Sequence, residues 1–165
     1  MGKYNTDIPD NMLSVINNCT TGLGIAGIGG GLIGAGTDLI VIAPVWVGMT
    51  VNLAEKAGHH MTEQTAKKIA LAVCTGAGTF IAGTKIASSV LGWIGAAFTF
   101  GASLALSAAA NAALNASFTK AYGKAAARFF LKTTQISNIE VMVSVIIALM
   151  GADLGFSTPY DYLIA

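Results

Sequence analysis

The sequence predicts an all-α fold of about five helices, built from glycine- and alanine-rich helical hairpins in a membrane-associated bundle, and three observations predict it. Apolar residues (AVILMFWYC) make up 54% of the 165 residues and 20 more are glycine, whereas charged residues make up only 10%. An average soluble domain carries about 25% charged residues, so part of this surface needs cover from lipid or from other copies of the chain. The apolar stretches are long and rich in alanine, and they lack the alternation of a half-buried strand. Finally, the runs Asn11 to Thr37 and Ile86 to Thr119 hold no charge. The second, at 34 residues, exceeds the roughly 20 that a spanning helix needs.

The chain reads as a single helical domain, 1–165, in three parts. Residues 10–57 form a glycine-rich helical hairpin. Asp10 N-caps its first helix just after Pro9, and that helix reaches about Gly36. The second helix runs from Asp38 to Ala57; Pro44 opens its main part or kinks it, and Gly58 stops it. A polar break, Gly58-His59-His60-Met61, follows.

Residues 62–132 form a Gly/Ala-rich helical pair. Thr62 is its N-cap, with Glu63 favouring the positive end of the helix dipole. The third helix extends to about Leu91, Gly92-Trp93-Ile94-Gly95 makes a turn, and the fourth runs from Ala96 to Lys132. Residues 137–165 supply a C-terminal helix and tail. Ser137-Asn138-Ile139-Glu140 has the form of a capping box, Gly151 stops the helix, and the rest packs as an extended strap.

The features that could carry a function are mostly packing features. Gly22, Ala26, Gly30 and Gly34 recur every four residues, with Gly27 and Gly31 in a parallel row, which puts small residues on one helix face. Glycine in a helix interior costs roughly 0.8–1.0 kcal/mol relative to alanine, so eight of them between Gly22 and Gly36 need close packing in return. Asp38 falls on the same step. It either N-caps the second helix with Thr37 or is a buried acid that needs a donor or water.

Lys120, Lys124, Arg128 and Lys132 form a stripe at the end of the fourth helix, beside Tyr122, Phe129 and Phe130. The stripe suits the helix dipole, and it equally suits anionic lipid or a partner. Eight of the nine basic residues lie from Lys56 to Lys132, against the single acid Glu63.

Several chemistries are not expected. Gly22-Leu23-Gly24-Ile25-Ala26-Gly27 and Gly29-Gly30-Gly31-Leu32-Ile33-Gly34 match a dinucleotide fingerprint, but Asn17-Asn18-Cys19-Thr20-Thr21 makes no strand before them. His59 and His60 adjoin Glu63 without a second ligand cluster, which reads as a polar loop and not as a metal site. Cys19 and Cys74 have neither metal spacing nor a disulfide framework, which suits buried thiols in a reducing compartment. No catalytic set stands out, so neither an enzyme nor a cofactor is expected, and the chain is too apolar for a nucleic-acid binder. Met1 to Asp10 carries no secretory pattern, which places a membrane-associated chain on the cytoplasmic side.

The run Gly36-Thr37-Asp38-Leu39-Ile40-Val41-Ile42-Ala43-Pro44-Val45-Trp46-Val47-Gly48-Met49, then Lys56-Ala57-Gly58, and later Ala121-Tyr122-Gly123-Lys124-Ala125, resembles a bacterial family. It is the small helical domain of unknown function that is fused to, or encoded beside, Era-like GTPases. The likeness covers about Leu23 to Lys132. It implies a membrane-associated helical module with a GTPase encoded nearby as partner. No GTPase precedes it here, and the helix after Ser137 is not part of the pattern.

Together these features predict a membrane-associated homo-oligomer that acts as a scaffold or small pore through glycine-mediated packing. A soluble homo-oligomeric shell, ring or filament is the first alternative, and a transporter-like protein using Asp38 is the second.

Overall fold

The structure, a computed structural model, describes residues 2–29, 38–82, 104–134, 136 and 138–165, and it is all-α. The helices are α1 (Asp10–Gly29), α2 (Asp38–Lys56), α3 (Glu63–Ala82), α4 (Leu104–Lys132) and α5 (Ile139–Leu154), with 3₁₀ turns at Gly2–Tyr4 and Asp161–Leu163. The side chains of 23–29, 38–43, 77–82 and 104–115 lie outside the description. So do the expected helix limits at Gly36, Leu91 and Ala96 and the turn at 92–95.

Local chemistry sets the helix ends, in some places differently from expectation. Asp10 is the first helical residue of α1 and not its N-cap. The Pro9 carbonyl accepts from the Met12 and Leu13 amides at 2.9 and 3.0 Å, so Pro9 holds the cap position. Pro44 lies inside α2 and has no N–H for the Ile40 carbonyl.

α2 stops as expected. Gly58 has φ +84°, and the His59 amide reaches back to the Ala54 carbonyl while that of Gly58 reaches Glu55, the two bonds of a Schellman ending. Thr62 caps α3 with its Oγ1 on the Thr65 amide at 3.3 Å.

α5 is capped by Asn138 and not by Ser137, a residue outside the description. The Asn138 Oδ1 accepts from Glu140 and Val141, and asparagine is as good a cap as serine. Nor does Gly151 stop α5. The helix continues to Leu154 and ends at Gly155, which has φ +79°. Gly151 is glycine for a different reason: a Cβ there would stand 2.7 Å from Thr158 Cγ2 and 2.8 Å from the Phe156 carbonyl. The chain after it therefore folds back onto the helix and is not an extended strap. Asp161 holds that fold by accepting from the Thr158 hydroxyl at 2.7 Å.

α2, α3, α5 and α4 close a ring in which each helix touches the next, and α1 lies along both α2 and α4. Tyr4 stacks on Phe129 at 6.4 Å while Ile16, further along, abuts Gly123, so α1 runs antiparallel to α4. Trp46 meets Thr119 and His59 meets Phe130, so α2 runs parallel to α4. α3 is joined to α2 by the short link 57–62 and packs along it, so it runs back the opposite way.

The core takes Met12 and Ile16 from α1, Met49 and Leu53 from α2, Ile69 and Val73 from α3, and Tyr122 and Phe130 from α4. α5 is uncharged from Val141 to Ala152, and its residues 145–151 are all buried, as expected of a helix apolar on every side. No helix among the described residues is long and apolar enough to cross a membrane.

Candidate functional site

The helix directions give the bundle two unlike ends. At one end the chain ties its polar pieces together. Tyr4 stacks on Phe129, and His59 Nε2 donates to the Phe130 carbonyl at 2.9 Å, satisfying one of the carbonyls left open by the end of α4. Arg128 pairs with Asp153 at 2.9 Å, and Gly2 lies near Ala165.

At the other end α1 finishes and α2 starts, and α3 finishes and α4 starts. α1 continues past Ile16 to Gly29, and α4 begins at Leu104, 15 residues before Thr119. Of the 17 charged residues, only Asp38 falls within 11–54 and only Lys85 within 69–119. The described parts of those two stretches are the helices that end or begin at this end.

Four polar side chains on the same stretches bond to their own helices. Thr20 Oγ1 donates to the Ile16 carbonyl at 2.7 Å, Thr21 to Asn17 at 2.9 Å, and Thr75 to Leu71 at 2.9 Å. Asn52 does the same to Gly48 at 2.8 Å. A hydroxyl bonded to the carbonyl one turn back does not require water.

A buried aromatic plug joins α2 to α4 between the two ends. The Trp46 indole stacks on the Tyr122 ring with centroids 4.0 Å apart and planes 4° off parallel. Its Nε1 donates to Thr119 Oγ1 at 2.9 Å. The Thr50 hydroxyl gives its one proton to the Trp46 carbonyl at 2.6 Å, so the Tyr122 hydroxyl donates to Thr50. Trp46, Thr50, Thr119 and Tyr122 are all buried, and each polar atom of the plug has a partner.

Burial pushes the Tyr122 phenol well above the usual tyrosine range. The unfolded chain releases this proton near pH 10 and the folded chain keeps it. Its contribution is therefore intact below about pH 10 and falls as pH rises further. Urea denaturation across that range is expected to show a steeper loss for the wild type than for Tyr122→Phe; identical pH profiles would remove Tyr122 as the cause.

The residues singled out from sequence fare unequally. Gly22 is exposed and a Cβ there would meet nothing within 4 Å. Ala26 and Gly27 lie on α1 with their surroundings outside the description, and Gly30, Gly31 and Gly34 are outside it altogether. Asp38 is the first described residue of α2, again without a described side chain.

In the basic stripe Lys120 and Lys132 are exposed and Lys124 is half-buried, whereas Arg128 is committed to Asp153. The stripe therefore offers three lysines and no free guanidinium. His60 is exposed, and His59 has the structural role given above. Among the described residues no group of His, Cys, Asp and Glu could hold a metal. Cys19 and Cys74 are free and half-buried, and burial raises both thiols above the usual cysteine range.

Sequence reasoning missed the plug and the role of Gly123. A signal was present: Trp46 and Thr50 sit one turn apart in an apolar run, as do Thr119 and Tyr122. Nothing local, however, says that these two turns face each other. Comparison with known protein families, with curated proteins and with solved structures gave no match.

Proposed function

We propose that the protein is a membrane-associated helical module that puts the charge-poor end of its bundle into lipid and acts by packing between copies, as a scaffold or small pore, without catalysis. The observation that carries this reading is that the helices of both charge-poor stretches, 11–54 and 69–119, meet at one end of the bundle, where α1 and α3 finish and α2 and α4 start. Charge within the hydrocarbon layer is costly wherever it falls. A body that keeps nearly all its charges off one end is suited to insert that end. The hydroxyls and amide that bond back to their own helices suit it further, because lipid offers no hydrogen-bond partners.

The lysines Lys120, Lys124 and Lys132 are the candidate contacts to anionic headgroups, worth about 1 kcal/mol each near such a surface. The two segments that resemble the GTPase-associated family contribute Trp46 and Met49 on one side and Tyr122 and Gly123 on the other, and these pack together. A GTPase encoded nearby is the candidate partner that the resemblance implies.

Flotation on a density gradient tests the reading. The purified protein is expected to rise with phosphatidylcholine vesicles, to do so more completely when phosphatidylglycerol is included, and to stay with them through a carbonate wash. A discrete oligomer that remains at the bottom of the gradient with both vesicle types would overturn the membrane reading in favour of a soluble assembly.

A further inference from the structure

We infer that the protein enters the bilayer from one side only, so that its N-terminus, the 57–62 link, the end of α4 and the C-terminal tail all lie on the same face of the membrane. This rests on the membrane reading above and adds a topology to it. α1 ends and α2 begins at one end of the bundle, and α3 ends and α4 begins at that same end. Each helix therefore starts or finishes on the same side of the body as its neighbour in the chain.

The opposite end binds the pieces that a different topology would have to separate. Tyr4 lies on Phe129 at 6.4 Å, His59 bonds to the Phe130 carbonyl at 2.9 Å, Arg128 holds Asp153 at 2.9 Å, and Gly2 lies near Ala165. A hydrocarbon core is about 30 Å thick, so placing any one of these partners across it breaks the contact.

Charge points the same way. Carrying the 57–62 link across would take Glu55, Lys56, Glu63, Lys67 and Lys68 with it, and each of these is exposed. An entry that returns to its own side moves none of them.

Labelling by a membrane-impermeant maleimide tests the topology. In a background of Cys19→Ser and Cys74→Ser, three exposed positions receive a single cysteine in turn: His60→Cys, Thr134→Cys and Ser157→Cys. Sealed vesicles of both polarities are made from cells expressing each chain, with detergent-opened vesicles as the measure of full reactivity. The three cysteines are expected to label together in one polarity and to be protected together in the other. One cysteine that labels where the other two are protected would overturn the one-sided entry while leaving the membrane reading intact. Absence of the chain from both vesicle preparations would reject the membrane reading itself.

Discussion

Trp46→Ala is expected to cost about 3–5 kcal/mol of folding stability, on the scale of large-to-small core substitutions. The indole is 2% exposed, and three losses coincide at this site. The cavity opens between α2 and α4, where the ring fills the space against Tyr122. The aromatic pair itself goes, worth about 0.5–1.5 kcal/mol beyond its burial. Thr119, fully buried, loses the donor to its hydroxyl oxygen.

Set against a total stability of about 5–15 kcal/mol for an ordinary domain, the variant is expected to lose most of its margin. Chemical denaturation followed by helical circular dichroism reads this as a large drop in midpoint. Trp46→Phe separates the terms, since it keeps a stacked ring and strands Thr119; its expected cost is about 1–3 kcal/mol. If Trp46→Ala shifts stability by less than about 1 kcal/mol, the plug does not hold the bundle together.

Gly123→Leu is expected to be the other severe change. A Cβ alone at this position would stand 2.9 Å from Ile16 Cγ1 and 3.0 Å from Met49 Sδ, because α1 and α2 both close on α4 here. Ile16 cannot easily yield, since its branched carbons are held by its own backbone and it is fully buried. The helix-propensity gain on removing glycine, about 1 kcal/mol, is outweighed by overpacking, which costs typically 1–3 kcal/mol and more for a side chain of this size.

Gly22→Ala is the matched control, one glycine to the next size up on an exposed helix position with open space around it. It is expected to stabilise by about 0.4–1 kcal/mol. Thermal melts of the two variants should therefore move in opposite directions. Two melts that both move upward would show that Gly123 is not a contact point.

That contrast shows where the sequence was readable. The all-helical class was legible because alanine-rich apolar runs without alternation leave strands no pattern to follow. Helix ends were legible where one residue type does a strictly local job: Gly58 takes the left-handed turn and Thr62 caps α3. They were misread by one residue at two starts. Asn138 caps α5 in place of Ser137, which has equally suitable chemistry. Pro9 precedes α1 with only its carbonyl engaged, although Asp10 has the better capping side chain.

Glycines were the least legible residues. Of the four-residue row beginning at Gly22 only Gly22 has described surroundings, which are open, whereas the described glycines with close neighbours are Gly76, Gly123 and Gly151. A glycine carries no side chain to reveal what stands opposite it.

Charge behaved in between. The absence of charge from Asn11 to Thr37 and from Ile86 to Thr119 is a property of the sequence. That the helices flanking both runs meet at the same end of the bundle is a property of helix direction, set by contacts such as Ile16 with Gly123 and Trp46 with Thr119. Arg128 makes the same point on a smaller scale. Its spacing from Lys124 and Lys132 put it in a surface stripe, and only the arrival of α5 gave it Asp153.

By itself the sequence determined that the chain is helical, where its charges cannot be, and several of its caps, because these depend on residues within a turn of each other. The tertiary structure alone decided which of the described glycines are contacts, that Trp46 and Tyr122 form one plug, and that the helices of both charge-poor stretches meet at one end of the bundle. Those facts depend on pairs of residues dozens of positions apart, and no local pattern encodes which distant turn will come to lie opposite.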